Sequence, residues 1–137
     1  MADFKKLHVW RKAHALALNT DHVAAKIRPR RHSSLRNQMS RAAMSIGANI
    51  VEGRGKASEA EFARYLRSSV NSASELEYHL LVAHDLKAMS TKHYAKLTAQ
   101  TIEVRKMLYG LLDRINDRKA EKDKGDDKSR PQDESSS

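Results

Sequence analysis

Four stretches of this 137-residue chain place apolar or small residues at alternating intervals of four and three. Such spacing forms a stripe along one face of an α-helix, and each stripe must be covered by another surface. The first stripe is Val9, Ala13, Leu16, Thr20, Val23 and Ile27. The second is Leu35, Met39, Ala42, Ile46, Asn49 and Gly53. The third is Phe62, Leu66, Ser69, Ala73, Leu76, Leu80 and Ala83, and the fourth is Tyr94, Leu97, Thr101, Val104, Leu108, Leu111 and Ile115. No long alternation of period two occurs, so the pattern predicts helices rather than strands.

Short breaks separate the stripes. Pro29 follows the first stripe, and Ser33 or Ser34 is a suitable N-cap for the second helix. Gly53 and Gly55 follow the second helix, and we expect them to end it in the left-handed geometry that glycine tolerates.

The remaining boundaries have capping residues as well. Ser58 followed by Glu61 predicts a capping box for the third helix, and Ser90 or Thr91 is suited to cap the fourth. Loops this short favour antiparallel neighbours, so we predict an all-α, up-down-up-down four-helix bundle. The expected bundle spans residues 1–118, with helices at about 6–28, 33–53, 58–87 and 91–118. Residues 119–137 are charged and poor in apolar side chains, which predicts a disordered tail.

The positive charge lies in the predicted bundle. The chain carries a formal charge of +9, whereas residues 117–137 hold six basic and seven acidic side chains. The preceding residues therefore carry +10, a charge that attracts polyanions such as RNA or DNA. The chain has no cysteine, no signal peptide and no run long enough to span a membrane, so we expect a cytoplasmic protein with no membrane partner.

Cationic side chains concentrate at both ends of the predicted bundle. Such clusters suit contacts to phosphate groups, which are independent of sequence and sensitive to salt. The candidate nucleic-acid-binding residues are Lys5, Lys6, Arg11, Lys12, Arg28, Arg30, Arg31, Arg36, Arg54, Lys56, Arg64 and Arg67.

Polar residues lie beside the apolar stripe of the second helix. These residues follow one another at intervals of four, four and three, so their side chains lie on one face of the helix. Polar groups on the third helix would satisfy their hydrogen-bonding requirements. We expect a hydrogen-bonded network that fixes the helix register, formed by Arg41, Ser45, Asn49, Glu52, Ser72 and Glu75. A catalytic pair of Glu52 with Glu75 is the alternative, although no nucleophile accompanies it.

Metal and cofactor sites are not expected. His8 and His14, like His79 and His84, are not spaced as helical pairs of metal ligands, and no di-iron motif accompanies them.

Four segments together resemble the 23S rRNA-intervening sequence protein family. They are Leu7–Trp10, Gln38–Gly53, Ser72–Glu77 and Met107–Leu111. The resemblance implies a bacterial four-helix bundle that assembles into a homo-oligomeric ring, a homopentamer. It also implies that the polar residues given above are signature positions of architectural rather than catalytic importance. Residues 69–71, Ser-Val-Asn, depart from the Ala-Arg-Gly of the family pattern.

These observations favour a non-enzymatic, oligomeric bundle that binds RNA or DNA. Apolar residues outside the stripes favour self-association. They are Trp10, Ile50, Val51, Leu81, Val82, Met107 and Leu112. The resemblance extends to accessory bundles of diversity-generating retroelements, so the alternative partner is a reverse transcriptase or another protein. An uncharacterised enzyme using Glu52 and Glu75 is the second alternative.

Overall fold

Four α-helices make up most of the chain. A computed structural model describes residues 3–28 and 30–129. The helices are α1 (His8–Ala24), α2 (Ser33–Arg54), α3 (Glu59–Asp85) and α4 (Thr91–Ser129). Short 3-10 turns at Phe4–Lys6 and Arg30–His32 precede α1 and α2. No strand occurs within the described ranges, which confirms the all-α prediction.

The apolar stripes form one shared core. Helix α1 packs against α2 and α4, and α3 packs against the same two helices. The third stripe is buried along its whole length, and the others are buried apart from a few half-exposed members. The largest fully buried side chains include Leu16, Met39, Ile46, Ile50, Leu66, Leu76, Leu80, Leu97 and Leu108. Helical periodicity thus located most of the core, but Ile50 and Leu112, which lie outside the stripes, are also buried in it.

Polar contacts align α1 with α4. Lys12 Nζ lies 3.5 Å from Glu103 Oε1, and Asn19 Nδ2 donates to Gln100 Oε1 at 3.3 Å. Residue numbers therefore rise along α1 as they fall along α4.

Serine caps begin α3 and α4 as the sequence predicts. Ser58 Oγ accepts a hydrogen bond from the backbone N–H of Glu61 at 3.2 Å. Ser90 Oγ accepts one from the N–H of His93 at 3.1 Å. Each hydroxyl satisfies a donor that the first turn of a helix leaves free.

Helix α2 begins differently from the prediction. Its N-cap is His32, which makes no side-chain capping bond, and Ser33 and Ser34 already belong to the helix. The 3-10 turn that precedes His32 leads directly into α2, so a serine cap at either position was wrong. Pro29, the predicted break, lies outside the described residues.

The glycines at the end of α2 do not adopt the predicted left-handed geometry. No glycine in the described ranges has a positive φ, and Gly55 has a φ of −79°. Gly53 lies inside α2, where an added Cβ would lie 2.7 Å from Tyr65 Cβ and 2.9 Å from Phe62 Cδ1. Glycine is needed at Gly53 for the close approach of α3, not for a turn.

The left-handed residue is Lys87, in the link between α3 and α4. Lys87 has a φ of 61°. Its N–H donates to His84 O at 2.9 Å, and the Ala88 N–H donates to Ala83 O at 2.9 Å. These two bonds form a Schellman motif, in which glycine is the usual residue at the left-handed position.

Helix α4 extends past the predicted end of the bundle at residue 118. Up to residue 125, Ile115 is the last buried residue along α4, and residues 116–125 are exposed. Arg118 Nε donates to Glu59 Oε1 at 2.9 Å, which joins the extension to the first turn of α3. Residues 119–124 are mostly helix-forming Lys, Glu and Ala, so the helix continues without apolar contacts. Residues 130–137 of the predicted tail lie outside the described ranges.

Replacing Gly53 tests the close approach of α2 and α3. We expect Gly53→Ala to lower the free energy of unfolding by about 1–3 kcal/mol, because its methyl group overpacks the contact with Phe62 and Tyr65. Urea unfolding followed by circular dichroism measures the change. Gly47→Ala is the control, since its Cβ would lie 3.6 Å from Trp10 Nε1, an ordinary contact. A stabilisation by Gly53→Ala equal to that of Gly47→Ala would contradict the steric account.

Replacing Lys87 tests the strain in the α3–α4 link. We expect Lys87→Gly to raise the free energy of unfolding by about 0.5–1 kcal/mol, since glycine adopts a positive φ without steric cost. Thermal unfolding of Lys87→Gly beside Lys87→Ala measures this. An equal gain in the alanine variant would trace the effect to the lysine side chain instead of the backbone.

Candidate nucleic-acid interface and the α2–α3 seam

Three of the predicted network residues form a hydrogen-bonded link between α2 and α3. The hydroxyls of Ser45 and Ser72 lie 2.9 Å apart across the two helices. Asn49 Nδ2 donates to Ser45 O at 2.9 Å and to Ser45 Oγ at 3.1 Å. Ser72 is buried, whereas Ser45 and Asn49 are half-buried. The link satisfies polar groups that would otherwise lose water without a partner.

A fourth residue in this link was not among the predicted site residues. Ser69 is fully buried, and its hydroxyl donates to Ile46 O at 2.8 Å. Ser69 was visible in the sequence as a member of the third stripe and as a departure from the family pattern. A serine within an apolar stripe was the signal for this bond.

The charged members of the predicted network point to solvent. Arg41, Glu52 and Glu75 are all exposed. Glu75 Oε1 lies 3.2 Å from His79 Nε2, and Glu75 also lines a shallow polar depression with Gln38 and Arg41. The interior part of the network is therefore limited to hydroxyl and amide groups.

The two carboxylates of the alternative catalytic site lie apart. Glu75 shares its depression with Ala42 of α2. Glu52 lies ten residues farther along α2, about 15 Å at 1.5 Å per residue. The helices do not bring Glu52 and Glu75 together as an acid–base pair.

The first basic end comprises Lys5, Lys6, Arg11, Lys12, Arg54, Lys56, Arg64 and Arg67. Three of these cations lie over aromatic rings. Arg54 Cζ is 5.7 Å from the centre of the Phe62 ring, and Arg54 Nε is buried without a hydrogen-bond partner. Lys56 Nζ and Arg64 Cζ lie 5.4 and 5.6 Å from the centre of the Tyr65 ring. Such packing holds the charges in fixed positions at the surface.

The remaining cations of the first basic end are exposed. Lys5, Lys6, Arg11 and Arg67 form no ion pair within the described residues. Lys12 differs, because Glu103 lies 3.5 Å away and offsets its charge.

The second basic end comprises Arg28, Arg30, Arg31 and Arg36. Arg28, Arg30 and Arg31 are exposed. Arg36 is half-buried and donates to Ile27 O at 2.9 Å, so this arginine ties the start of α2 to the end of α1. Arg36 therefore has a structural contact that the sequence did not reveal.

Helix α4 adds cations that the prediction assigned to the tail. Lys119 and Lys122, together with Arg118 of the predicted fourth helix, line a cleft with Arg67 of the first basic end. The helical positions of Lys119 and Lys122 were not apparent because a charged helix without apolar residues has the composition of a disordered segment.

An exposed apolar groove lies between α1 and α2. Its lining includes Trp10, His14, Leu18, Met44 and Val51. Leu18 is 59% exposed and Met44 is 57% exposed, and the Trp10 and His14 rings stack with centres 4.9 Å apart. This groove accounts for part of the apolar surface that lies outside the stripes.

Neither metal ligands nor a membrane span emerge from the described ranges. No group of three His, Asp or Glu side chains there could hold a metal ion. None of the described helices is long and apolar enough to cross a bilayer.

Comparison with known proteins identifies the fold and the family. A solved structure of a protein of unknown function from the S23 ribosomal protein family of Bacteroides thetaiotaomicron VPI-5482 is similar, with a TM-score of 0.71 and 24% identity. The similarity covers 76% of this chain and 97% of that chain, and it supports the fold alone. No curated protein matches the chain. The model of the 23S rRNA-intervening sequence protein family matches residues 5–110. The chain therefore belongs to the 23S rRNA-intervening sequence protein family.

Proposed function

We propose that this protein is a non-enzymatic bundle that binds RNA or DNA through phosphate contacts at its basic ends. The observation that carries the proposal is the group of exposed arginines Arg28, Arg30 and Arg31, which form no ion pair within the described residues. Exposed guanidinium groups so close together in the sequence suit bidentate contact with phosphate oxygens. The family name refers to an rRNA intervening sequence and is compatible with an RNA partner.

An antiparallel, up-down-up-down arrangement of the helices would produce the two basic ends. The order of the Lys12–Glu103 and Asn19–Gln100 contacts supports this topology for α1 and α4. Such a topology would bring the start of α1 and the end of α2 together at one end of the bundle. The end of α1 and the start of α2 would lie at the other end.

The proposal includes assembly of several copies into a ring, a homopentamer. The groove between α1 and α2 supports self-association, because Leu18 and Met44 leave apolar area exposed that a second copy would cover. A ring would also repeat each basic end several times and raise the affinity for a long polyanion.

An accessory role beside a reverse transcriptase or another protein is the second candidate. It is favoured by exposed apolar side chains on α3, away from the α1–α2 groove. Tyr78 is 63% exposed and Leu81 is 41% exposed. A protein partner would cover these side chains without using the cationic ends.

Charge reversal tests the basic ends. We expect two triple charge reversals each to weaken binding to a structured RNA and a DNA duplex. One combines Arg28→Glu, Arg30→Glu and Arg31→Glu, and the other combines Lys5→Glu, Lys6→Glu and Arg11→Glu. Wild-type affinity should fall with salt by roughly 0.7–0.9 log units per log unit of salt for each phosphate contacted. Fluorescence anisotropy over a salt series measures both effects on purified, nucleic-acid-free protein. Unchanged affinity in both triples would refute the assignment and favour the second candidate.

A charge in the apolar groove tests self-association. We expect Met44→Asp or Leu18→Asp to dissociate the assembly, because a carboxylate would have to be desolvated at the contact. Size-exclusion chromatography with light scattering measures the mass, which should fall to that of one chain. Ala99→Asp, at an exposed position on α4, is the control. Wild-type protein that runs as a monomer would contradict the ring.

A further inference from the structure

A cleft between the first turns of α3 and the projecting part of α4 has no assigned role. Its volume is about 780 Å³. Four of the six lining residues in α3 and just before it are small, which leaves the space open; they are Ala57, Ser58, Ala60 and Ala63. The α4 wall begins at Ile115. Up to residue 125, Ile115 is the last residue of that helix whose side chain is buried in the core.

The α4 wall changes from apolar to cationic at this point. Lys119 and Lys122 follow Ile115 at intervals of four and seven, so they continue the face of α4 that is buried in the core. A longer bundle would have apolar residues at these positions. Cations on a face that would otherwise pack against a helix indicate a polar, anionic occupant.

The charge balance inside the cleft is positive. Glu59 is offset by Arg118, whose Nη2 and Nε atoms both lie 2.9 Å from Glu59 Oε1. This leaves Arg67, Lys119 and Lys122 opposite the single carboxylate of Asp123. The N-terminus of α3 also faces this region, and its helix dipole adds partial positive charge.

We propose that this cleft holds a phosphodiester backbone of RNA or DNA, with Arg67, Lys119 and Lys122 contacting successive phosphates. The proposal rests on the proposed nucleic-acid binding and names the surface that carries it. Lys119 and Lys122 lie three residues apart on one face of α4, so their long side chains reach the same cleft and can each contact a separate phosphate. Both lysines lie beyond residue 110, where the match to the family model ends, so the α4 wall of the cleft lies outside the matched segment.

A matched pair of double variants on α4 tests the cleft. Lys119→Gln with Lys122→Gln removes two charges from the cleft. Arg114→Gln with Lys124→Gln removes two exposed charges from the opposite face of the same segment, outside the cleft lining. Both doubles leave the Arg118–Glu59 ion pair in place, and circular dichroism checks that each variant retains its helix content.

Binding is measured by fluorescence anisotropy over a salt series, with an RNA duplex and a DNA duplex of matched sequence. We expect the cleft double to reduce the slope of log affinity against log salt by about two and the control double to leave it unchanged. Asp123→Asn should strengthen binding because it removes a negative charge from the cleft. A folding defect would weaken binding, so it cannot explain such a gain. If the affinity for only one duplex depends on Lys119 and Lys122, that nucleic acid is the occupant of the cleft. If the affinities for both duplexes depend on the two lysines, the cleft accepts either nucleic acid.

Two results would overturn the assignment of the cleft to nucleic acid. Equal losses in the two doubles would mean diffuse attraction to the whole basic surface. Binding of labelled oligoglutamate that depends on Lys119 and Lys122, without such dependence for either duplex, would assign the cleft to an acidic peptide. Wild-type protein that binds neither duplex at low salt would overturn the proposed function itself.

Discussion

The contact between α2 and α3 sets the geometry on which the rest of the bundle depends. At Gly53 this contact leaves no room for even a methyl group, because Phe62 and Tyr65 fill the space. Farther along the same seam, Ser69 bonds directly to the backbone of α2, and Ser45 bonds to Ser72. Small side chains permit this approach, and hydroxyl groups make it specific, because a shift of one residue would break each of these bonds.

The same approach positions the charged surface. Phe62 and Tyr65, which pack against Gly53, are also the rings beneath Arg54, Lys56 and Arg64. Carboxylates along the helices are instead used in ion pairs, such as Glu77 with Arg105. Acidic side chains thus offset Lys12 and Arg105, whereas most cations of the two basic ends form no ion pair among the described residues. Because the unpaired cations are concentrated in these places, the electrostatic field there is strong although the net charge is modest.

Periodicity in the sequence predicts the helices and their buried faces because burial imposes the same spacing on every helix of a bundle. It does not predict which neighbours of a stripe turn inward. Arg41 and Asn49 lie on one side of the α2 stripe, yet only Asn49 finds a partner that replaces water. Ser58 and Ser90 act as caps because their backbone leaves the helix there, whereas Ser33 follows a 3-10 turn and does not. Residues 119–124 continue α4 because Lys, Glu and Ala favour a helix, and the Arg118–Glu59 contact at the base of this part is not visible in local composition.

Helix α4 extends beyond the core of the bundle. The part of the helix between Ile115 and Ser129 rises about 21 Å along the helix axis at 1.5 Å per residue. An α-helix of this length resists bending, so it acts as a spacer, and the Arg118–Glu59 ion pair anchors it near its base. A fluorophore attached to an exposed residue of this part, such as Lys124, is held clear of the core. Attachment there would report on the orientation of the bundle without disturbing its packing.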